Sequence, residues 1–431
     1  MKETAVPSSR TAGVIANVLW TAVLLIVAAT PLIIDLAGRD VFRVPKSTFF
    51  QAAMIAVAGL AAASALLVDP FARIIFHNRR AIIIASLAVV WSALITLTAV
   101  VPAAARPAPL TMFCHAVLFV MTVALARNRG FLCAAAALLL PAVVNATMIL
   151  LQAFRIWQPF VIAEGDDRLA NIGLIGNPNM AGTYLLIPAV AALAATVAVR
   201  PYRLVSGGIA LLLVLAIVQV QTISVLVALA PALLAVTFTA GRRVRLAAVA
   251  LIAAGLLASL ASPSIRQRVG TLRSDLARGE YAALTSGRIP AAATALHMFK
   301  ERPLFGVGPG GFAARYMPYR LRVEEEHPQW MEDVHLNFGE AHNDHAQLLA
   351  ETGLPGYVLF LFFLFSVARV ARSPRTDSDH GTLFAHRFAL PAVIAFAIVA
   401  FGQFPLELTA CTSSSVFAAG LCVAWSADAV S

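Results

Sequence analysis

The residues best suited to catalysis lie near the end of a long polar segment of the chain. Residues 341–345 read Ala-His-Asn-Asp-His. An imidazole has an ordinary pKa of about 6.5, so it can accept a proton at neutral pH. His342 stands beside an amide and a carboxylate at a predicted helix start, and we expect it to be catalytic.

A helix over residues 342–352 would sort the polar residues onto two faces. His342, His345 and Leu349 share one face, and Asn343, Gln347 and Glu351 share the other. Gly353 and Pro355 are expected to end this helix just before a hydrophobic run. The pattern predicts a polar helix at the membrane surface, with Asn343 and His345 as candidate substrate contacts.

The same polar segment could also supply metal ligands. The candidates are His327, His335, His342, Asp344 and His345. Their spacing matches no familiar zinc pattern such as His-Glu-x-x-His. We therefore expect neither a metal nor another cofactor.

Arginines outside the membrane suit a second task, the binding of a lipid-linked diphosphate. A guanidinium stays charged at physiological pH, and its fork of N–H donors matches phosphate oxygens. Arg288 and Arg168 are the best placed, unless each merely marks the edge of the bilayer. Arg315 is a further candidate substrate contact, although ion pairing with the nearby Glu324–Glu326 would be a simpler account of it.

Two elements are predicted between Arg288 and the histidines. Ser286–Pro290 reads as a turn, and the helix after it carries Ala292, Ala295, Leu296 and Phe299 on one apolar face. Residues 306–311 then read Gly-Val-Gly-Pro-Gly-Gly. A dinucleotide-binding loop would need a preceding strand and a βαβ unit, which the sequence does not indicate, so a structural turn is favoured.

The rest of the chain consists of apolar runs that must position this polar segment. Of the 431 residues, 60% are hydrophobic and 13% charged, whereas soluble domains carry about 25% charged residues. A bilayer can hide that much apolar surface and a soluble core cannot. The net charge of +10 does not indicate nucleic-acid binding, because the basic residues punctuate the apolar runs.

Twelve apolar runs approach the length of about 20 residues that a spanning helix needs. They are 14–36, 47–68, 81–101, 108–126, 131–154, 180–199, 204–221, 222–240, 246–261, 354–371, 385–404 and 408–425. We predict an all-α polytopic membrane protein with about twelve spans. Residues 1–261 would form a transmembrane bundle, 262–353 one long helical loop, and 354–431 the last three spans.

Lysines and arginines predict the orientation of these spans. With a cytoplasmic N-terminus, the short cytoplasmic loops hold 14 of them, and the short loops on the other side hold 6, among them Arg39, Arg43 and Arg168. The positive-inside rule therefore places both termini in the cytoplasm and the long loop outside.

Three sequence elements together resemble the O-antigen ligase family. They are Gly287-Arg288, the run Pro-Leu-Phe-Gly-Val-Gly-Pro-Gly over 303–310, and Ala-His-Asn-Asp over 341–344 with Glu-Thr-Gly-Leu-Pro-Gly over 351–356. The segment from Arg168 to Asn179 also resembles the family's Arg…Asn-Pro-Asn region. The family includes lipopolysaccharide O-polysaccharide ligases, O-antigen polymerases and some protein oligosaccharyltransferases.

The resemblance implies a large polytopic, GT-C-like glycosyltransferase of the bacterial inner membrane, with a periplasmic active site. The donor would be a glycan on undecaprenyl diphosphate, and the acceptor would be lipid A–core. Arg288 would hold the diphosphate, and His342 would act on the acceptor hydroxyl. The transfer would invert the anomeric centre without a metal, because arginine neutralises the leaving group.

One element departs from the family pattern. Many relatives carry Thr-x-Ser-Arg-Gly at the start of a span, and the corresponding residues 222–225 read Thr-Ile-Ser-Val. Arg168 or another outside arginine would have to replace the arginine missing at Val225, or the activity is altered. Relatives also carry tyrosine or an apolar residue more often at the position of His345, whose role stays unassigned.

The alternatives to a ligase are a polymerase, a transporter and a scaffold protein. An O-antigen or exopolysaccharide polymerase would use the same Arg288 and His342 with a different acceptor. A transporter would place ionisable residues inside the spans, but apart from Asp35 near a span end these hold mainly uncharged amides: Asn145, Gln152, Gln219 and Gln221. A scaffold protein would tolerate the loss of Arg288.

Overall fold

The described part of the protein is helical and contains no strand. A computed structural model describes residues 9–127, 129–160, 170–238, 288–330, 338–372 and 379–426, with short stretches between 270 and 278. Within these residues, nine helices are long and apolar enough to cross a membrane, and two further apolar helices are shorter. The prediction of an all-α polytopic membrane protein is confirmed.

Among the described residues, ten α-helices precede the polar segment. They are α1 (Ser9–Ala29), α2 (Arg43–Leu67), α3 (Asp69–Phe76), α4 (Arg79–Leu97), α5 (Pro102–Ala105), α6 (Ala108–Ala126), α7 (Phe131–Ala153), α8 (Pro178–Ala198), α9 (Arg203–Val220) and α10 (Ile223–Phe238). Five more described α-helices lie within or after that segment: α11 (Arg288–Glu301), α12 (Gly311–Glu326), α13 (Asp344–Ala368), α14 (His380–Val399) and α15 (Thr409–Ala424).

Eleven of the twelve predicted spans correspond to helices in this structure. The twelfth, the run 246–261, lies outside the described residues, so the count of twelve stays a prediction. The division between α9 and α10 is made by Gln221, whose left-handed backbone (φ 50°) ends α9. Because α10 and α15 have 16 residues each, they are the two shorter apolar helices.

Helix α8 lies at the centre of the bundle and is buried on almost every side. It packs against α9, α10 and α14. Its many alanines allow neighbouring backbones to approach closely. A Cβ atom on Gly182 would lie 2.9 Å from Val220 and 3.5 Å from Val225, so α9 and α10 touch α8 here without space for a larger side chain.

The polar residues inside α7 hold a loop at one end of the bundle. The Oδ1 atom of Asn145 accepts a hydrogen bond from the backbone N–H of Leu174 at 2.9 Å. The Oε1 atom of Gln152 accepts from Ile172 at 3.1 Å and Gly173 at 2.9 Å. Satisfying buried amide groups in this way stabilises the loop that leads into α8.

A break at Gly353 divides α13 into a buried first part and a membrane-crossing second part. Gly353 has φ 67° and ψ −177°, which is not helical. The groups freed by the break bond to the glycine-rich loop: Leu354 N–H donates to Pro303 at 2.8 Å, and Val307 N–H donates to Ala350 at 2.8 Å. The predicted stop at Gly353 is confirmed as a break, although helix resumes after it.

The glycine-rich loop is a structural turn in this fold. Gly306, Gly308 and Gly310 all have positive φ, of 67°, 90° and 67°. A Cβ atom on Gly308 would lie 2.3 Å from Ala99, and Val100 N–H donates to the Val307 carbonyl at 2.9 Å. The loop is thus pressed between the end of α4 and the break in α13.

Helices α11 and α12 are tied by contacts to one carboxylate. Tyr319 donates to Glu301 at 2.6 Å, and Arg322 pairs with the same side chain. The apolar face of α11 also differs: Ala295 is buried as expected, but Leu296 is 41% exposed, and Ala291, Thr294 and Met298 complete the buried face. The small side chains of this buried face belong to a helix that packs against α13.

We predict that Gly353→Ala destabilises the protein. The left-handed backbone alone costs an alanine about 1 kcal/mol or more, and its Cβ would lie 2.3 Å from the Leu304 carbonyl. Thermal unfolding in detergent measures the effect. Gly208→Ala is the matched control, because it lies in α9 with nothing near its Cβ. Equal melting temperatures for the two variants would contradict this account of the break.

Candidate active site

His342 lies in the connection before α13, not in the helix. The helix begins at Asp344, so the predicted shared face of His342, His345 and Leu349 is wrong. His342 instead adopts a left-handed backbone with φ 51°. A non-glycine residue in this conformation is uncommon and is found where the surroundings hold it, often at functional sites.

Hydrogen bonds fix the backbone on both sides of His342. Ala341 N–H donates to the Oε1 atom of Gln347 at 2.9 Å. Asp344 N–H donates to the Ala400 carbonyl at 2.8 Å, and Asp344 Oδ2 accepts from Leu406 N–H at 2.9 Å. The first turn of α13 is therefore fastened to the connection between α14 and α15.

Two phenylalanines hold the imidazole of His342. Its ring centre lies 5.5 Å from Phe338 and 4.8 Å from Phe404, edge to face with both. The side chain is half-buried, and its Nδ1 atom has no hydrogen-bond partner in the part of the chain that the structure describes. The ring is held by packing, while this nitrogen stays unbonded within the described protein.

Burial is the main reason that the imidazole of His342 is neutral. Burial and, to a smaller extent, the Arg288 guanidinium together lower the pKa of His342 to about 4, and the Glu340 carboxylate opposes this shift. Arg288 is the first residue of α11, so this helix brings the predicted arginine and histidine into one site. A neutral imidazole at physiological pH is the form that can accept a proton.

A second arginine, Arg43, lies at the same site and was not among the sequence-predicted site residues. Its guanidinium pairs with Glu340 at 2.7 Å and lies 5.9 Å from the centre of the Phe404 ring, measured from Cζ. The sequence holds only a weak indication that Arg43 is held in place, namely that Asp40 stands three residues before it at the start of an apolar run. Asp40 Oδ1 accepts from the Arg43 backbone N–H at 2.7 Å and fixes the start of α2.

Asn343 and His345, the predicted substrate contacts, both have structural partners. The Oδ1 atom of Asn343 accepts from Ala346 N–H at 3.0 Å and caps α13. The His345 ring nitrogens lie 3.1 Å from the Tyr357 hydroxyl and 3.0 Å from the Ala397 carbonyl. His345 therefore links α13 to α14, and substrate contact by either residue stays a prediction.

The predicted polar surface helix is buried in the protein. Gln347 and Glu351 are 5% and 7% exposed. Gln347 Nε2 donates to Glu407 at 3.1 Å. Glu351 Oε1 accepts from Phe312 N–H at 3.0 Å, at the N-terminus of α12, where a carboxylate is favourable. The polar face predicted from the sequence is present, but its side chains contact helix ends and loops instead of water.

The remaining predicted arginines lie elsewhere. Arg315 is on the exposed side of α12 and makes no ion pair with another described residue. Arg168 lies outside the described residues. Among the predicted site residues that the structure describes, the fold brings Arg288 and His342 together.

The Thr-x-Ser element packs inside the bundle. Thr222 donates to Asn179 at 3.1 Å, and Ser224 accepts from Gln403 Nε2 at 2.9 Å. Val225 is fully buried. The position that holds arginine in many relatives is thus a packing position here, and a charge there would be costly.

Metal binding has no geometric support in the described residues. No group of three or more histidines, cysteines, aspartates or glutamates is arranged to hold an ion there. Of the candidates from the sequence, His335 lies outside the described residues. His327 instead stacks on Trp330 at 4.0 Å.

Residues 207–361 match the family model described as O-antigen ligase. The matched segment starts within α9 and ends within α13, so it contains both Arg288 and His342. The resemblance to the O-antigen ligase family is confirmed. No curated protein sequence matches the chain. Arg288 and His342 lie on elements that meet at one end of the bundle.

We predict that the role of the Asn343 side chain is to cap the N-terminus of α13. Asn343→Asp keeps an acceptor for Ala346 N–H and should retain transfer activity to within about threefold, whereas Asn343→Ala should lower stability by about 1 kcal/mol. Thermal unfolding and a transfer assay on the same preparations measure both effects. A folded Asn343→Asp variant without activity would show instead that the amide N–H₂ contacts substrate.

Proposed function

We propose that the protein is a membrane glycosyltransferase of the O-antigen ligase type. It transfers a glycan from undecaprenyl diphosphate to the lipid A–core oligosaccharide at the periplasmic face of the inner membrane. The observation that carries the proposal is the meeting of Arg288 with a half-buried, neutral His342 inside the segment that matches the ligase family.

The chemistry follows from the two side chains. His342 takes the proton of the acceptor hydroxyl, whose oxygen attacks the anomeric carbon of the donor sugar. The bond from that carbon to the phosphate oxygen breaks, and undecaprenyl diphosphate leaves with the electron pair. Attack from the opposite face inverts the anomeric centre. The guanidinium of Arg288 stabilises the negative charge that develops on the leaving group.

Donor binding is expected to strengthen the base. In the free protein, burial and Arg288 both disfavour the imidazolium. A bound diphosphate offsets the charge of Arg288 and adds negative charge near the ring, so it raises the pKa of His342. The imidazole then becomes a better proton acceptor only when the substrate to be attacked is in place.

The site lies at a single end of the bundle. Arg288, His342 and Glu340 share this end with the start of α2 and the connection before α15, as their contacts require. The lysine and arginine distribution supports a periplasmic position for this end, with both termini in the cytoplasm. Undecaprenyl diphosphate in the outer leaflet would reach it from the membrane.

A polymerase that extends O-antigen or an exopolysaccharide is the alternative. It would use the same donor, the same Arg288 and the same His342, and it would differ in the acceptor. A transporter finds less support, because Asn145 and Gln152 inside α7 bind the backbone of residues 172–174 and leave no polar path along that helix.

The first prediction for this function concerns complementation of a ligase-deficient strain. The wild-type chain should restore a lipid A-linked O-antigen ladder, and His342→Ala and Arg288→Ala should each abolish it at equal membrane expression, because each removes a group acting on the reacting bond. Arg302→Ala, which removes an exposed arginine just after α11, is the control and should complement. A wild-type chain that is expressed but gives no ladder would favour the polymerase alternative, which a chain-length assay then tests.

The second prediction concerns pH. The pKa of His342 is lowered to about 4 in the free protein, and its neutral form is the active one. Activity as kcat/KM should therefore stay level from neutral pH down past 6.5 and fall only at more acidic pH. The profile of kcat reports the substrate complex, and its acidic limb should lie at higher pH. Coincident limbs near pH 6.5 in both profiles would contradict this account of the base.

A further inference from the structure

Arg43 belongs to α2, far in sequence from the segment that matches the ligase family. We propose that Arg43 is a second binding residue for the donor's diphosphate, and that Glu340 occupies its guanidinium until the donor arrives. The inference rests on the proposed function, because it names a further contact for that donor. Arg43 would also supply the positive charge that Val225 cannot provide.

The first support is the geometry of the Arg43–Glu340 pair. One guanidinium nitrogen, Nη2, lies 2.7 Å from Glu340 Oε1. The side chain of Arg43 is 39% exposed, whereas that of Glu340 is 20% exposed. A guanidinium has five N–H donors, and the structure assigns one of them to a carboxylate among the described residues. Further donors of this partly exposed side chain are therefore available to a phosphate.

The second support is the position of the pair beside His342. Glu340 precedes His342 by two residues and raises its pKa. Phe404 contacts both groups, since its ring lies 4.8 Å from the His342 ring and 5.9 Å from the Arg43 Cζ atom. An anion bound at Arg43 would therefore lie close to the proposed base and share the site with Arg288.

The third support is the rigid base from which Arg43 extends. Asp40 Oδ1 accepts from the backbone N–H groups of Phe42 at 3.0 Å and Arg43 at 2.7 Å. One turn later, Lys46 donates to the carbonyls of Ile33 and Leu174 at 2.7 Å each. Binding groups on a fixed backbone lose less freedom when a ligand arrives.

Charge compensation explains why a second arginine is needed. The diphosphate of a lipid-linked donor carries two negative charges, and Arg288 neutralises one. Val225 is buried and uncharged, so the Thr-x-Ser element adds no cation. A diphosphate presents several oxygens to a guanidinium fork, so it can displace or join the single carboxylate of Glu340.

The experiment measures binding of undecaprenyl diphosphate to the purified full-length protein in nanodiscs. Undecaprenol, which lacks the diphosphate, is the probe for lipid-chain binding alone. The variants are Arg43→Gln, Glu340→Gln and Arg288→Gln. Arg39→Gln is the matched control, since Arg39 is exposed in the same connection before α2 and removes an equal charge.

The proposal predicts opposite effects for the two halves of the ion pair. Arg43→Gln should weaken undecaprenyl diphosphate binding by about tenfold or more, while undecaprenol binding and the Arg39→Gln control stay as in wild type. Glu340→Gln should leave binding unchanged or tighten it, because it removes the competing anion. If the pair were only structural, both variants would weaken binding alike, and that result would overturn the proposal.

The failure of this inference is distinguishable from failure of the proposed function. Wild-type binding that is weakened by Arg288→Gln but not by Arg43→Gln would overturn the role of Arg43 alone. A wild-type protein that binds undecaprenyl diphosphate no better than undecaprenol would overturn both.

Discussion

The fastening of the first turn of α13 is the constraint on which the proposed site depends. Ala341 bonds to Gln347, and Asp344 bonds to both Ala400 and Leu406. These hydrogen bonds on both sides of His342 restrict its backbone conformation, which accounts for its left-handed φ. Without these hydrogen bonds, the imidazole would not be held between Phe338 and Phe404. The break at Gly353 and the glycine-rich loop also help to position His342. They allow the buried polar first part of α13 to be followed directly by its membrane-crossing second part.

Electrostatics at this end of the bundle follow from the same arrangement. Arg288 comes from α11, Arg43 from α2, and Glu340 from the connection before α13. Three separate elements thus place two cations and one anion around one imidazole. A neutral base beside two guanidinium groups is suited to a reaction in which an anionic leaving group departs while a hydroxyl loses its proton.

Hydropathy and local motifs encode the membrane class, eleven apolar helices and the placement of Arg288 near His342, so the sequence predicts these directly. His342 is predicted inside a helix because amphipathic spacing cannot show that Asn343 caps the helix one residue before Asp344. Glu351 is predicted on the surface because its partner, the N-terminus of α12, lies 39 residues earlier. Arg43 is predicted only as a charge in an outside loop, because its pairing with Glu340 crosses nearly 300 residues and leaves no local pattern.

The central claim is that one site holds the lipid diphosphate beside His342. The most direct measurement is a structure of the full-length protein in nanodiscs with an undecaprenyl diphosphate-linked glycan bound. The account predicts the diphosphate within hydrogen-bonding distance of the Arg288 guanidinium, with the anomeric carbon of the first sugar facing His342. A diphosphate bound away from α11, or a first sugar separated from His342 by the phenylalanine side chains, would contradict it.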